Sequence, residues 1–194
     1  LNDEDYLNKA ALLSKKLYKE SNPLTQNLSW GLKFPYYSRY VSSVKTSNLF
    51  TTINAAFAIQ ELYKTTGDKY YLSWLHSINK FLIDELGYIK ENNYSYFRYY
   101  PSLDEKVYNV NALALKYLFT NCKLGLNNDQ IIKDLFRFLK DHQNADGSWY
   151  YSENKKGNWV DGFHSGYMLE GVLDYNNLRK DSSSMIMNAV NFYK

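Results

Sequence analysis

The sequence repeats at an interval of 54 to 57 residues, and this repeat constrains the fold more than any other feature. The segment Ile53–Ile59 (INAAFAI) resembles Val110–Leu115 (VNALAL), which lies 57 residues further on. Phe81-Leu82 recurs as Phe138-Leu139 at the same offset of 57, and a third copy begins near residues 163–169. Two segments that share one offset indicate a repeated supersecondary unit, which buries its apolar face against its neighbours.

Each repeat is predicted to form a helix, a tight turn, a second helix and a long loop. Apolar side chains at helical spacing predict a helix over Leu49–Thr65, and the triplet Thr66-Gly67-Asp68 is typical of a helix end. The same pattern predicts the remaining helices, which are Asp5–Glu20, Tyr70–Leu86, Val107–Asn121, Asp129–Gln143, Phe163–Leu178 and Asp181–Lys194. The prediction is therefore an all-α array of about three and a half helical hairpins, forming residues 1–194 as one domain or a fragment of one.

The links between hairpins, residues 21–47, 87–106 and 144–162, are far longer than the turns inside them. Links of that length in a compact domain are usually functional or disordered, and their many aromatic residues disfavour disorder. Because successive helices alternate in direction, all three links are expected at one end of the array. We place the binding surface there, and expect strands only as short hairpins in 87–106 and 144–162.

Composition excludes several classes of function. The net charge is only +3 with dispersed Lys and Arg, which disfavours a nucleic-acid partner. Cys122 is the only cysteine, so no intrachain disulfide and no thiolate metal cluster can form, and a cytoplasmic location is favoured. No apolar run is long enough to span a membrane. Neither a metal nor another cofactor is predicted.

An open arc of hairpins exposes apolar helix flanks that a closed ring would bury, and such patches drive association. We therefore expect the chain either to be a fragment of a longer protein or to form a homodimer through its terminal helices.

The segment Phe138–Trp149 (FLKDHQNADGSW) fits the pattern F-L-x-x-x-Q-x-x-x-G-x-W. It resembles the QW repeat of triterpene cyclases and turns in the wider α/α-toroid superfamily. This resemblance implies that Gln143 and Trp149 tie one helix end to the next. The D-x-D-D motif of class II triterpene cyclases is absent, as is the His and Cys spacing of zinc-dependent prenyltransferases and lanthionine cyclases.

A second resemblance covers about residues 48 to 177. It rests on four phrases, TTGDKYYL from Thr65, VYNVNA from Val107, DGSWYY from Asp146 and WVDGFHSGY from Trp159. In them the chain resembles proteins encoded among surface-polysaccharide biosynthesis genes of bacteria and archaea, which are similar to six-hairpin 2-epimerases and unsaturated-uronide hydrolases. The resemblance implies an α/α-toroid fold and a carbohydrate ligand. With about three and a half hairpins, this chain would form an incomplete ring.

Asp161 and His164 are the predicted catalytic pair. They lie where a long loop leads into a helix and are three residues apart, which places them one helical turn apart. A histidine beside a carboxylate suits proton transfer near neutral pH. The structural alternative is that Asp161 caps the helix and His164 bonds to backbone.

Tyr108, Asn109 and Asn111 occupy the equivalent start of the preceding repeat and are predicted to bind substrate. An amide offers both a donor and an acceptor to sugar hydroxyls. Helix capping is the alternative for Asn109.

Aromatic residues and one arginine complete the predicted binding surface. Trp149, Tyr150 and Trp159 have the flat apolar faces that stack on sugar rings, and Arg98 suits a carboxylate or phosphate. The alternative is that the rings only fasten the long loops to the helix ends. For glycoside hydrolysis, Asp146 or Glu153 would supply the second carboxylate beside Asp161.

Three hypotheses follow from these residues. The first is a carbohydrate-active protein that acts on a polysaccharide or sugar precursor by metal-independent acid/base chemistry, hydrolase- or epimerase-like. The second is a non-catalytic carbohydrate-binding or assembly scaffold, in which case the chain is not an enzyme. The third is a terpenoid cyclase-like protein, which the wet, tyrosine-rich loops disfavour.

Overall fold

The computed structural model describes residues 3–37, 41–179 and 183–192, and it divides the chain into two compact units. The first unit comprises residues 1–86 and the second comprises residues 87–194.

The first unit consists of three helices. They are α1 (Asp3–Lys19), α2 (Leu49–Thr66) and α3 (Lys69–Lys80), and α3 continues as a π-helix over Phe81–Gly87. Helices α2 and α3 form the predicted hairpin. Gly67 ends α2 in the left-handed conformation at φ 66°, where a residue without Cβ is favoured, and the Asp68 carboxylate accepts a hydrogen bond from Tyr70 N at 2.8 Å.

The link before α2 is fastened by a buried tryptophan. The indole nitrogen of Trp30 donates to the carbonyl of Leu17 at 2.9 Å. This link also carries a short antiparallel pair, β1 (Tyr36–Tyr37) with β2 (Val41–Ser42). The expectation that strands occur only in the later two links is therefore wrong.

Apolar side chains of α1 remain exposed. Leu12 and Leu13 are exposed to solvent, and an open groove of about 850 Å³ lies between α1 and α2. The predicted fragment or homodimer stays a prediction.

The second unit contains a β-hairpin and four helices. These are β3 (Tyr88–Lys90), β4 (Ser95–Phe97), α4 (Tyr108–Lys123), α5 (Asp129–Asp141), α6 (Gly162–Arg179) and α7 (Ser183–Phe192). Helix α4 is central, because it packs against both α5 and α6, and 12 of its 16 residues are buried. Gly171 lets α6 approach α4 closely, since a Cβ there would lie 2.3 Å from the carbonyl oxygen of Ala112.

The turn after α5 connects that helix to α7. The Gln143 side chain donates to the carbonyls of Gly147 and Met185, both at 2.9 Å. The Trp149 indole is buried and donates to the carbonyl of Leu139 at 2.8 Å. Gly147 has φ 94°, and a Cβ there would lie 2.2 Å from the carbonyl oxygen of Asn188. The turn therefore requires glycine for both its conformation and its close contact with α7.

The predicted helices are all present, with ends that differ by a few residues from expectation. Residues 181, 182, 193 and 194 of the last predicted helix lie outside the described residues. The link 144–162 departs from its prediction, because it holds one bridge between Val107 and Ser152 and a 3₁₀ turn over Lys155–Gly157 in place of a β-hairpin. Within residues 3–37, 41–179 and 183–192, no helix has the length and apolarity to span a membrane.

Candidate functional site

The links 87–106 and 144–162 lie side by side in the second unit. For these two links, this confirms the prediction that they lie at the same end of the helices. Tyr108 N donates to Tyr151 O and Glu153 N donates to Lys106 O, both at 3.1 Å. Tyr151 N in turn donates to Trp159 O at 3.0 Å. These bonds hold the link 144–162 in place up to the start of α6. The position of the link 21–47 relative to these two stays a prediction.

Asp161 caps α6 and also holds the ring of His164. Its Oδ1 accepts from His164 N at 2.8 Å, and its main-chain oxygen accepts from Ser165 N at 3.1 Å. This is the usual bonding of a residue directly before a helix. Its other oxygen, Oδ2, lies 2.7 Å from His164 Nδ1. Asp161 therefore caps α6, as the structural alternative expected, and its second carboxylate oxygen contacts the His164 ring.

The electrostatics of the pair fix the tautomer of the imidazole. Burial raises the pKa of Asp161, but the hydrogen bonds from the amide and ring of His164 outweigh it and hold the pKa below its ordinary value. An ionised carboxylate can only accept hydrogen bonds, so the proton of the neutral imidazole is on Nδ1. The lone pair of Nε2 is consequently the one available for proton transfer.

Aromatic rings surround His164. Tyr151 and Trp159 stack on each other at 4.8 Å between ring centroids, and both meet the imidazole edge to face, at 4.9 and 5.0 Å. Phe163 contacts the imidazole at 5.2 Å. Trp159 is 40% exposed and Phe163 67% exposed, whereas the imidazole side chain is 27% exposed. Open aromatic faces thus border a partly accessible imidazole.

A second polar cluster lies in the same two links, and sequence reasoning missed its central residue, Lys106. The Lys106 ammonium group lies 3.0 Å from Glu91 and 3.2 Å from Glu153, over the rings of Tyr94 and Tyr96. Burial lowers the pKa of Lys106, but the two carboxylates outweigh it and raise the pKa overall. Glu153 is 47 residues from Lys106 in sequence. No local spacing signals this contact, and only the crowding of aromatic residues in both links marks the region.

His142 is a further residue that the sequence analysis did not single out. Its Nδ1 lies 2.7 Å from the carbonyl oxygen of Phe138, and its Nε2 lies 3.5 Å from the Tyr94 hydroxyl. Tyr108 packs against it at 5.2 Å between ring centroids, and burial raises the pKa of the Tyr108 hydroxyl. His142 therefore belongs to a packed aromatic cluster at the end of α5.

Several residues predicted to bind substrate are buried. The side chain of Asn111 accepts from Phe97 N at 2.8 Å and donates to the carbonyls of Phe97 at 3.0 Å and Val107 at 2.9 Å. Its amide thus has a full set of bonds within the protein. Tyr108, Asn109 and Trp149 are also buried, and the Asn109 amide oxygen has no hydrogen-bond partner among the residues that the structure describes. These four residues are therefore not part of the solvent-accessible surface.

The other predicted residues are accessible to solvent. Arg98 is directed toward Asp104, at 3.7 Å, and the carbonyl of Pro101, at 3.4 Å. Tyr150 is exposed beside Tyr151 in the chain. Of the predicted site, the structure therefore brings Asp161, His164 and Trp159 into one contact cluster. In the described part of the chain, no three His, Cys, Asp or Glu side chains are placed to hold a metal ion.

Solved structures with the same arrangement of helices are numerous, although no protein-family model matches the chain and no curated protein matches its sequence. A cellobiose 2-epimerase from Spirochaeta thermophila has a TM-score of 0.71 at 12% identity, over 98% of this chain and 53% of that one. A sugar epimerase from a ruminal bacterium has a TM-score of 0.67 at 16% identity, over 98% and 53%. A family 76 glycoside hydrolase from a bovine Bacteroides thetaiotaomicron strain has a TM-score of 0.61 at 15% identity, over 81% and 36%.

These similarities concern the fold. They confirm the predicted all-α class, an array of helical hairpins of the α/α-toroid type. The chain spans about half the length of the epimerase structures it matches, in agreement with the predicted incomplete ring.

Proposed function

We propose that this chain is a carbohydrate-active protein that binds a sugar at the start of α6 and transfers protons through His164. The observation that carries the proposal is the 2.7 Å contact between His164 Nδ1 and Asp161 Oδ2 beside the exposed ring of Trp159. The carboxylate orients the imidazole and stabilises its protonated form, and the indole offers a face to a sugar ring. No metal or other cofactor is part of this proposal.

The fold supports a sugar ligand by analogy, because its structural neighbours include sugar epimerases and a glycoside hydrolase. The resemblance to proteins of surface-polysaccharide gene clusters suggests the same class of ligand. A single cysteine suits the reducing cytoplasm, which we include in the proposal.

The carboxylates favour epimerase-like over hydrolase-like chemistry. Glycoside hydrolysis needs one carboxyl group that stays protonated to protonate the leaving oxygen. Hydrogen bonds from the amide and hydroxyl of Ser148 lower the pKa of Asp146, and the pKa of Asp161 is also lowered. Glu153 is paired with Lys106. These three carboxylates are therefore poor candidates for the acid of a hydrolase.

An imidazole suits proton abstraction from carbon. The Nε2 lone pair of His164 would take the proton from a carbon next to a sugar carbonyl. The electron pair of the broken C–H bond would form the C=C bond of an enediolate, and the carbonyl π pair would move onto oxygen. Protonation of the opposite face of that carbon by a water molecule, with release of the His164 proton to the resulting hydroxide, would re-form the carbonyl and invert the carbon. Positioned acid/base groups contribute about 10²- to 10⁴-fold to such steps.

The test is proton exchange in D₂O. Cellobiose, glucose and mannose are incubated with the protein, and ¹H NMR follows loss of the signal of the proton on C2. We expect exchange with the native chain, and a loss of about 10²-fold or more in Asp161→Asn and His164→Ala. The asparagine of the first variant can still cap α6, so its melting temperature should change little. An equal loss of exchange and thermal stability would overturn the catalytic assignment.

A non-catalytic scaffold is the second candidate, because Asp161 has a complete structural role as the cap of α6. Calorimetric binding of the same sugars without exchange at C2 would favour the scaffold. Absence of both binding and exchange would overturn the proposed carbohydrate function as a whole.

A further inference from the structure

One face of α6 continues from the proposed site and stays open. It consists of Phe163, Tyr167, Glu170 and Asp174, which follow one another at intervals of four, three and four residues. These intervals place all four residues on one side of a helix, along about 16 Å of its axis. We refer to these four residues as the α6 face.

The upper half of the α6 face is aromatic. Phe163 meets the His164 ring at 5.2 Å and the Tyr167 ring at 5.0 Å, so the aromatic surface runs without interruption from the proposed site down the helix. Phe163 is nevertheless 67% exposed. An exposed apolar ring beside other partly exposed rings is typical of a ligand surface.

The lower half of the face is charged. Lys116 of α4 forms an ion pair with Glu170 and lies 4.0 Å from Asp174. All three side chains are partly exposed. Two carboxylates and one ammonium group give this part of the face an excess of negative charge, which disfavours anionic ligands.

We propose that the ligand is a neutral oligosaccharide, which extends from His164 along the α6 face past Phe163 and Tyr167 to the Lys116–Glu170 pair. This inference rests on the proposed function and names its substrate class. A single sugar ring cannot cover the length of the face. Aromatic rings bind the apolar faces of successive sugars, and the ion pair offers donors and acceptors to their hydroxyls.

The composition of the face favours a glycan over a second protein. The centres of protein interfaces are depleted in charged residues. The lower half of the α6 face consists of Glu170 and Asp174, and Lys116 of α4 lies beside them. A protein partner at this face is therefore treated as an outcome of the test.

The experiment measures affinity against chain length. Neutral glucose and mannose oligosaccharides of one to about five sugars, and matched uronic-acid oligosaccharides, are titrated into the full chain by calorimetry. We expect affinity to rise about tenfold between the shortest and longest neutral ligands, and the uronic-acid series to bind more weakly.

Variants test whether the rise in affinity with ligand length arises at the α6 face. Tyr167→Ala and Glu170→Ala should each reduce the ratio of longest- to shortest-ligand affinity by about five- to tenfold. Met187→Ala, at an exposed position of α7 and therefore outside the α6 face, is the control and should keep the full ratio. Melting temperatures establish that each variant is folded.

The outcomes separate the two proposals. Affinity that is constant with length, or a ratio that Tyr167→Ala and Glu170→Ala leave intact, overturns the oligosaccharide inference and leaves the proposed function standing. Absence of binding at every length and charge overturns the proposed function itself. A dimer in light scattering that Glu170→Ala dissociates assigns the face to a second copy and also overturns the inference.

Discussion

Helices α4 and α6 begin at equivalent points of the repeat, yet their first turns have opposite surroundings. At the start of α4, Asn111 is fully buried and its amide is bonded to the backbone of β4. At the start of α6, the Asp161 side chain is 36% exposed and the His164 ring is bordered by open aromatic faces. Equivalent positions in a repeat thus share a location, whereas the neighbouring elements decide whether a polar side chain supports the fold or faces a ligand.

The largest expected effect is the loss of the buried amide of α4. Asn111→Ala removes the partners of the Phe97 amide and carbonyl, and should lower the free energy of unfolding by about 3 kcal/mol. Urea denaturation measures the change. His164→Ala is the matched variant at the start of α6 and should cost less than about 1 kcal/mol, because its ring is partly solvated. Similar losses in both variants would contradict the contrast between the two helices.

A second effect concerns the contact between the same helices. Gly171→Ala places a Cβ 2.3 Å from the carbonyl oxygen of Ala112, and backbone atoms cannot move aside cheaply. We expect a loss of roughly 1–3 kcal/mol, measured by urea denaturation. Unchanged stability would mean that α6 does not pack on α4 as closely as described.

The opposite sign is expected earlier in the same helix, at Gly166. A Cβ at Gly166 would have no atom of the described residues within 4 Å, so Gly166→Ala should only improve helix propensity. The expected gain is roughly 0.5–1 kcal/mol in the same assay. Destabilisation by Gly166→Ala would show that other atoms cover this part of α6. The start of α6 would then be as enclosed as the start of α4.

The smallest effect is a dependence on pH at the start of α6. Because folding lowers the pKa of Asp161, its carboxylate stabilises the folded state above the ordinary aspartate pKa of about 3.9. This contribution is lost as pH falls through the lower pKa of the folded state. The difference in stability between the native chain and Asp161→Asn should therefore shrink as pH falls below about 4. Thermal melts across this range test it, and a difference independent of pH would contradict the assignment.

The sequence predicts local features of this fold better than its long-range contacts. Helical periodicity and the Gly67–Asp68 turn place the α2–α3 hairpin, because the signals for a helix end are local. The spacing of Asp161 and His164 predicts their contact for the same reason. The burial of Asn111 depends on β4, and the pairing of Lys106 with Glu153 joins two different links. Neither contact leaves a periodic pattern in the sequence.

Aromatic residues show the same limit of prediction from the sequence. Trp149 and Trp159 lie in one link and both are predicted to stack on sugar rings, although Trp149 also completes the Q-x-x-x-G-x-W pattern. The first is buried with its indole bonded to Leu139, and the second is partly exposed beside His164. The resemblance thus implies the fastening role of Trp149, whereas the exposure of Trp159 depends on packing at the start of α6 and leaves no local signal in the sequence.

The uneven burial of the four tryptophans has a spectroscopic consequence. Trp30, Trp74 and Trp149 are buried in the core, and Trp159 alone is substantially exposed among the described residues, next to a titratable imidazole. Collisional quenchers such as iodide should therefore reach the emission of Trp159 selectively. The native chain then contains its own fluorescent reporter at the start of α6, and a Trp159→Phe variant supplies the blank.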